Sequence, residues 1–114
     1  MTAAAPAMDA TARAVADPTR RTILALVHDE ERTVTDIASH FAVSRPAISQ
    51  HLKVLHDAEL VLIRQDGTRR YYRSRPEGLA GLREWLDSFW STRLDELKRM
   101  VEADHAERSD RADP

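Results

Sequence analysis

The sequence predicts a small, mostly α-helical fold with about five helices and one two-stranded β-hairpin. Three observations lead to this prediction. The 114 residues are enough for one domain, and a hydrophobic content of 42% is enough for one modest core. Apolar residues recur at helical spacing through most of the chain. The one strong hairpin signal, Asp66 followed by Gly67, comes after two closely spaced segments with helix-start residues.

The composition predicts a single domain in a reducing compartment. We expect disorder over residues 1–8, a folded domain over residues 9–105 and a polar tail over residues 106–114. No segment approaches the roughly 20 apolar residues of a membrane span, and the start of the chain lacks a signal-peptide pattern. The absence of cysteine excludes disulfides and thiolate metal sites. We therefore expect a cytoplasmic protein with no membrane partner.

The first two helices are predicted from composition and a cap. A short helix over residues 9–16 is weakly patterned because the segment is rich in alanine. Asp17 is a candidate N-cap for the next helix, Pro18 fits in its first turn, and the helix should end near His28. Its buried side is formed by Ile23, Leu24, Leu26 and Val27.

Two further helices have the spacing of a helix-turn-helix. Thr33 or Thr35 can cap the first, whose apolar side is Ile37, Ala38 and Phe41. Ser44 can cap the second after a connection of about three residues, with Pro46 in the first turn. The inward side of the second helix is formed by Ile48, Leu52 and Leu55.

A β-hairpin and a long helix complete the predicted fold. Residues 60–64 and 70–74 read as strands on either side of Asp66 and Gly67, and this hairpin would be the wing of a winged helix-turn-helix. A helix follows over residues 76–104. Its apolar stripe contains Leu82, Leu86, Phe89, Trp90, Leu94, Leu97 and Val101.

That stripe is too long for so small a core to cover, so we expect a homodimer formed through the first and last helices. Packing within one chain is the alternative. Trp85, Phe89 and Trp90 are interpreted as packing residues, the alternative being a ligand pocket between protomers.

The charge distribution indicates a polyanionic partner although the net charge is −2. Residues 44–75 contain seven basic and three acidic residues, a net charge of +4, whereas residues 1–43 sum to −2 and residues 76–114 to −4. A basic middle segment between acidic flanks fits duplex DNA. A chance fluctuation of surface charge is the plain alternative.

The second helix of the helix-turn-helix would read the DNA. On a helical wheel its polar residues lie opposite the apolar ones, so they are free to enter the major groove. Arg45, at the helix start, is better placed for phosphate. His51 borders the apolar side, so packing and DNA contact are both open. The candidate contacts in this helix are Ser44, Arg45, Pro46, Ser49, Gln50, His51 and Lys53.

The hairpin turn supplies the remaining candidates. Thr68, Arg69 and Arg70 crowd it, and arginines there can enter a minor groove or hold its phosphates. Asp57, at the far end of the reading helix, should point away from the DNA. We expect the wing to position the protein more than to read sequence.

Four sequence blocks together resemble the ArsR/SmtB family of bacterial repressors. They are ADPTRR at residues 16–21, SRPAISQHLKVL at 44–55, AELV at 58–61 and DGTRRYY at 66–72. The resemblance implies a winged-helix homodimer that binds a palindromic operator and represses transcription. It places Ser44, Arg45, Ser49, Gln50, His51 and Lys53 in the DNA-reading helix and Arg69 and Arg70 in the wing.

Other functions have weaker support in the sequence. The chain departs from the metal-sensing members of that family because it has no cysteine pair and its five histidines lack ligand spacing, so we expect no metal or other cofactor. A metal-responsive repressor with an atypical His/Asp/Glu site remains an alternative. We expect no enzyme, since no nucleophile-base pair or phosphate-binding glycine pattern occurs. A winged-helix interaction module without DNA binding would need apolar anchors where the reading helix is polar.

Overall fold

A computed structural model describes residues 4–112, with side chains for residues 7–108. The first of two compact units ends at Leu82 and the second begins at Arg83. The elements run in the order α1 (Ala4–Val15), α2 (Pro18–Asp29), β1 (Arg32–Thr33), α3 (Val34–Ala38), α4 (Arg45–Asp57), β2 (Val61–Asp66), β3 (Arg69–Ser74), a 3-10 helix (Pro76–Leu79) and α5 (Ala80–Ala112).

Both ends of the chain contain more helix than the sequence pattern predicts. Helix α1 begins at Ala4, so residues 4–8 of the segment expected to be disordered are helical, and residues 1–3 lie outside the described part. Helix α5 continues to Ala112, through most of the segment expected to be a polar tail. Alanine and the charged residues with long side chains form helix without an apolar period, so periodicity does not mark these ends.

Three side-chain caps fix where the helices of the first unit begin. The carboxylate of Asp17 accepts the backbone N–H of Arg20 at 3.0 Å, which starts α2. Thr33, one of the two candidates, caps α3 by accepting from Asp36, and Ser44 caps α4 by accepting from Ala47 at 3.3 Å. The caps satisfy N–H groups at the helix starts, and the apolar sides of these helices pack into a shared core. The largest fully buried side chains are Ile23, Val27, Ile37, Ile48, Leu52, Leu55 and Leu60.

The wing belongs to a three-stranded antiparallel sheet with the order β1-β3-β2. The predicted hairpin is present, and its strands approach the turn more closely than expected, with Asp66 opposite Arg69. Gly67 has a φ of +62°, the left-handed conformation that a two-residue hairpin loop requires. The added strand β1 pairs with Tyr71 and Tyr72 of β3. Two residues are too few to show a strand period in the sequence.

Two connections differ from the prediction. The α-helix α3 ends at Ala38, so the link to α4 spans residues 39–44 rather than about three residues. The N–H groups of His40 and Phe41 bond to carbonyls three residues earlier, so a helix-like turn that is not α-helix follows Ala38. The last predicted helix begins as a 3-10 turn over Pro76–Leu79 before α5 starts. Neither change affects the predicted burial of Ile48, Leu52 and Leu55 on the inward side of α4.

The second unit is the larger part of α5. Its large apolar side chains are between 45% and 68% exposed, so the described chain does not cover them. No helix in residues 4–112 is both long and apolar enough to span a bilayer.

Candidate nucleic-acid interface

Helix α4 has one buried side and one polar side. Ile48 and Leu55 are completely buried and Leu52 is 1% exposed. The side chains of Pro46, Ser49, Gln50 and Lys53 are all exposed. A helix held by three core residues turns its polar side outward, as a groove-reading helix needs. The prediction of which α4 side chains are buried and which are exposed is thus confirmed.

Lys53 forms an ion pair within α4. Its ammonium lies 3.0 Å from the carboxylate of Asp57, one helical turn later, and both side chains are more than 60% exposed. Exposed pairs of this spacing contribute about 0.3 to 0.5 kcal/mol, so a phosphate could replace the carboxylate at low cost. The ammonium of Lys53 is therefore paired with Asp57, the acidic residue at the far end of α4. The sequence did not indicate this ion pair.

A groove of about 460 Å³ brings the start of α4 together with the wing. Arg45 lies on one wall, and Thr68, Arg69 and Arg70 of the hairpin lie on another. Residues separated by more than 20 positions in the chain thus form one basic surface. The groove is completed by Thr33, Val34 and Thr35, which the sequence did not predict as site residues.

The arginines of this region fall into two classes. Among the side chains of residues 7–108, no carboxylate lies within 4.0 Å of Arg45, Arg69 or Arg70. Arg64 instead donates to both carboxylate oxygens of Glu31, at 3.0 and 3.2 Å, and its guanidinium lies 4.5 Å from the ring centroid of Tyr71. Hydrogen bonding from Arg64 lowers the pKa of Glu31. Arg64 therefore ties β2, across β3, to the residue just before β1.

Two predicted contact residues also have partners inside the fold. The side chain of His51 is 25% exposed, and its Nδ1 lies 3.3 Å from a guanidinium nitrogen of Arg20. This geometry favours the packing interpretation of His51. Ser44 uses a lone pair of its hydroxyl as the cap of α4, so the hydroxyl proton is still available for a phosphate oxygen.

The stripe predicted for dimerisation lies entirely on α5. Its first residue, Leu82, ends the first unit, and the others belong to the second unit. Leu82 is partly buried, whereas exposure rises to 63% at Trp90 and 60% at Val101. Trp85 and Phe89 contact each other edge to face at 4.8 Å between ring centroids. Met100, at 68% exposure, also belongs to this apolar set, although the stripe as predicted omitted it.

Comparison with known proteins identifies the family. A family model described as bacterial regulatory protein, arsR family, matches residues 17–62. The HTH-type transcriptional regulator Rv2034 of Mycobacterium tuberculosis is 45% identical over 92 residues, which cover 81% of this chain and 86% of that protein. The chain belongs to the arsR family.

Solved structures agree with this assignment. A possible transcriptional regulator for arsenical resistance is 53% identical with a TM-score of 0.63, over 78% of this chain and 90% of that one. A homodimeric winged helix-turn-helix DNA-binding domain from Mycobacterium bovis, a possible ArsR-family regulator, is 30% identical with a TM-score of 0.61, over 80% and 84% of the two chains. The predicted winged helix-turn-helix is thereby confirmed.

Further relatives are named as repressors, among them proteins of Bacillus subtilis and Staphylococcus xylosus. This arsR-family protein is a DNA-binding transcriptional regulator of the repressor type. In the described part of the arsR-family chain, no three histidine, aspartate or glutamate side chains form a cluster suited to a metal ion.

Proposed function

We propose that this arsR-family repressor acts as a homodimer on a palindromic operator, with α4 in the major groove of each half-site and the hairpin on the flanking backbone. The observation that carries the proposal is the fixed polar side of α4 beside the basic groove. A protein with two-fold symmetry matches a two-fold DNA sequence, so each protomer reads one half-site.

The polar side of α4 supports base contacts by three residues. Gln50 has the amide that pairs with adenine N6 and N7, Ser49 has a hydroxyl for a base edge or phosphate, and Lys53 reaches guanine or phosphate once it leaves Asp57. Pro46 contributes a flat apolar contact at the helix start. His51 acts from within the fold rather than at the DNA surface.

The basic groove supports phosphate binding. Arg45 and the hairpin residues Arg69 and Arg70 have no acidic partner within 4.0 Å among the described side chains, so their charge is available for an external anion. Thr68 adds a hydroxyl at the turn, and the hydroxyl of Ser44 adds another at the start of α4. Contacts of this kind set the register of a protein on DNA and make its affinity depend on salt.

The exposed apolar stripe supports the homodimer. A row of leucines and aromatic residues that is more than 40% exposed along α5 is costly to leave in water, at roughly 25 cal/mol for each Å². A second copy of the same helix would cover it with matching chemistry, and the relative from Mycobacterium bovis is described as homodimeric. The proposed contacts are Leu82, which is partly buried, and the exposed residues Leu86, Phe89, Trp90, Leu94, Leu97 and Val101.

The decisive experiment is to recover the DNA that the purified protein retains from fragmented genomic DNA, and to titrate the recovered fragment at several salt concentrations. We expect a site with two inverted half-sites and an affinity that falls steeply with salt. Recovery of random fragments, or binding that ignores salt, would contradict the proposal.

A further inference from the structure

One arginine of α2, Arg20, makes side-chain contacts with two other helices of the first unit, α1 and α4. The Nε of Arg20 donates to the backbone oxygen of Ala14 at 2.7 Å, and Nη2 donates to that of Arg13 at 3.0 Å. These oxygens belong to the last turn of α1, where helix carbonyls lack partners within the helix. The neighbouring Arg21 donates in the same way to the oxygen of Val15 at 2.8 Å.

The third contact of Arg20 reaches α4. Its Nη1 lies 3.3 Å from the Nδ1 of His51. Because a guanidinium only donates, Nδ1 of His51 accepts this bond and the ring proton is on Nε2. The side chain of His51 is 25% exposed, so the bond is partly shielded from water. Arg21 differs from Arg20 in this respect, since its hydrogen bond ends at α1.

Asp17 binds the backbone of Arg20 and lies near the ring of His51. Its carboxylate accepts the N–H of Arg20 and lies 3.9 Å from the Nδ1 of His51. The bond from the Arg20 backbone lowers the pKa of Asp17, so this group stays ionised at neutral pH. The start of α2, the end of α1 and the middle of α4 therefore meet at one polar junction.

We propose that Arg20 is a positioning residue for DNA reading: through His51 it fixes the rotation of α4 relative to α1. The proposal rests on the assignment of α4 as the reading helix. Side-chain tips lie about 6 Å from a helix axis, so a rotation of about 20° moves them by roughly 2 Å. Such a shift takes Gln50, the neighbour of His51 in sequence, out of hydrogen-bonding distance of a base edge.

The test compares Arg20→Ala with Arg21→Ala, which removes a similar bond to α1 and none to α4. Each variant is titrated against the fluorescein-labelled fragment recovered from genomic DNA, and its unfolding is followed by circular dichroism. We expect Arg20→Ala to bind roughly five- to tenfold more weakly with an unchanged salt slope, because no phosphate contact is lost. Arg21→Ala should bind within about twofold of the wild type.

Two substitutions of His51 separate positioning from direct contact. The side-chain oxygen of asparagine can take the place of Nδ1, whereas that of glutamine lies near Nε2. His51→Asn should therefore retain operator affinity, and His51→Gln should lose as much as Arg20→Ala. His51→Ala should cause no further loss in the Arg20→Ala background, because both changes break the same bond.

Equal DNA affinities for the Arg20→Ala and Arg21→Ala variants would overturn the proposal. An additive loss of affinity in the double variant, Arg20→Ala with His51→Ala, would also overturn it, because His51 would then be a direct DNA contact. If Arg20→Ala does not fold, the asparagine and glutamine variants decide the question. A wild-type protein without salt-dependent DNA binding would instead contradict the proposed function.

Discussion

Removal of Arg69 and Arg70 together tests the wing as a phosphate-binding element. Each protomer loses two cations that line the groove beside Arg45, so a dimer loses up to four phosphate contacts. Each such contact contributes about 0.9 to the slope of log K against log salt, so the slope should become shallower by about 3.6. Between about 50 and 200 mM salt, wild-type binding should then fall by roughly 150-fold more than binding by the variant.

The assay is fluorescence anisotropy of the labelled operator at five salt concentrations across that range. The matched control is the double variant Arg83→Ala with Arg108→Ala, which removes the same charge from exposed positions of α5. Its salt slope should equal that of the wild type. An unchanged slope in the wing variant, or an equal reduction in the control, would refute the assignment of the groove to phosphate.

Three further changes test the helix and the dimer. Gln50→Ala should reduce the preference for operator over random DNA by about 1 to 3 kcal/mol per lost base contact, measured by competition; an unchanged preference would remove Gln50 from the reading surface. Asp57→Asn should tighten DNA binding about twofold by releasing Lys53, which is 3.0 Å from that carboxylate; weaker binding in the same titration would show that the ion pair assists α4 instead. Leu94→Glu should raise the dimer dissociation constant at least tenfold in sedimentation equilibrium, because a charge would be buried at the seam, and an intact dimer would place the interface elsewhere.

The reading helix is the part of the site that could be predicted most fully. Ser44 as a cap and Ile48, Leu52 and Leu55 on one side are local features, since capping acts over three residues and helical period over seven. The same locality explains the hairpin turn at Gly67. Together with the basic excess of residues 44–75 and the polar side of this helix, these features were enough to indicate DNA as the partner.

The partners of individual charges could not be predicted in this way. Arg64 contributed to the basic excess of residues 44–75, yet it is held by Glu31, 33 positions earlier. The sequence leaves both packing and DNA contact open for His51, and packing is favoured only by Arg20, 31 positions away, which donates to its ring. Helical period carries no information about which side chains meet across the core, because that depends on how the helices pack.

The sequence by itself determined which α-helices form, which of their sides are apolar and where the hairpin turns, because caps, period and turn residues act over a few positions. The tertiary structure alone decided that β1 joins the wing, that Arg45 shares a groove with the hairpin and that Arg20 bonds α4 to α1. These contacts join residues far apart in the chain, and their geometry exists only once the buried sides of the helices have packed together.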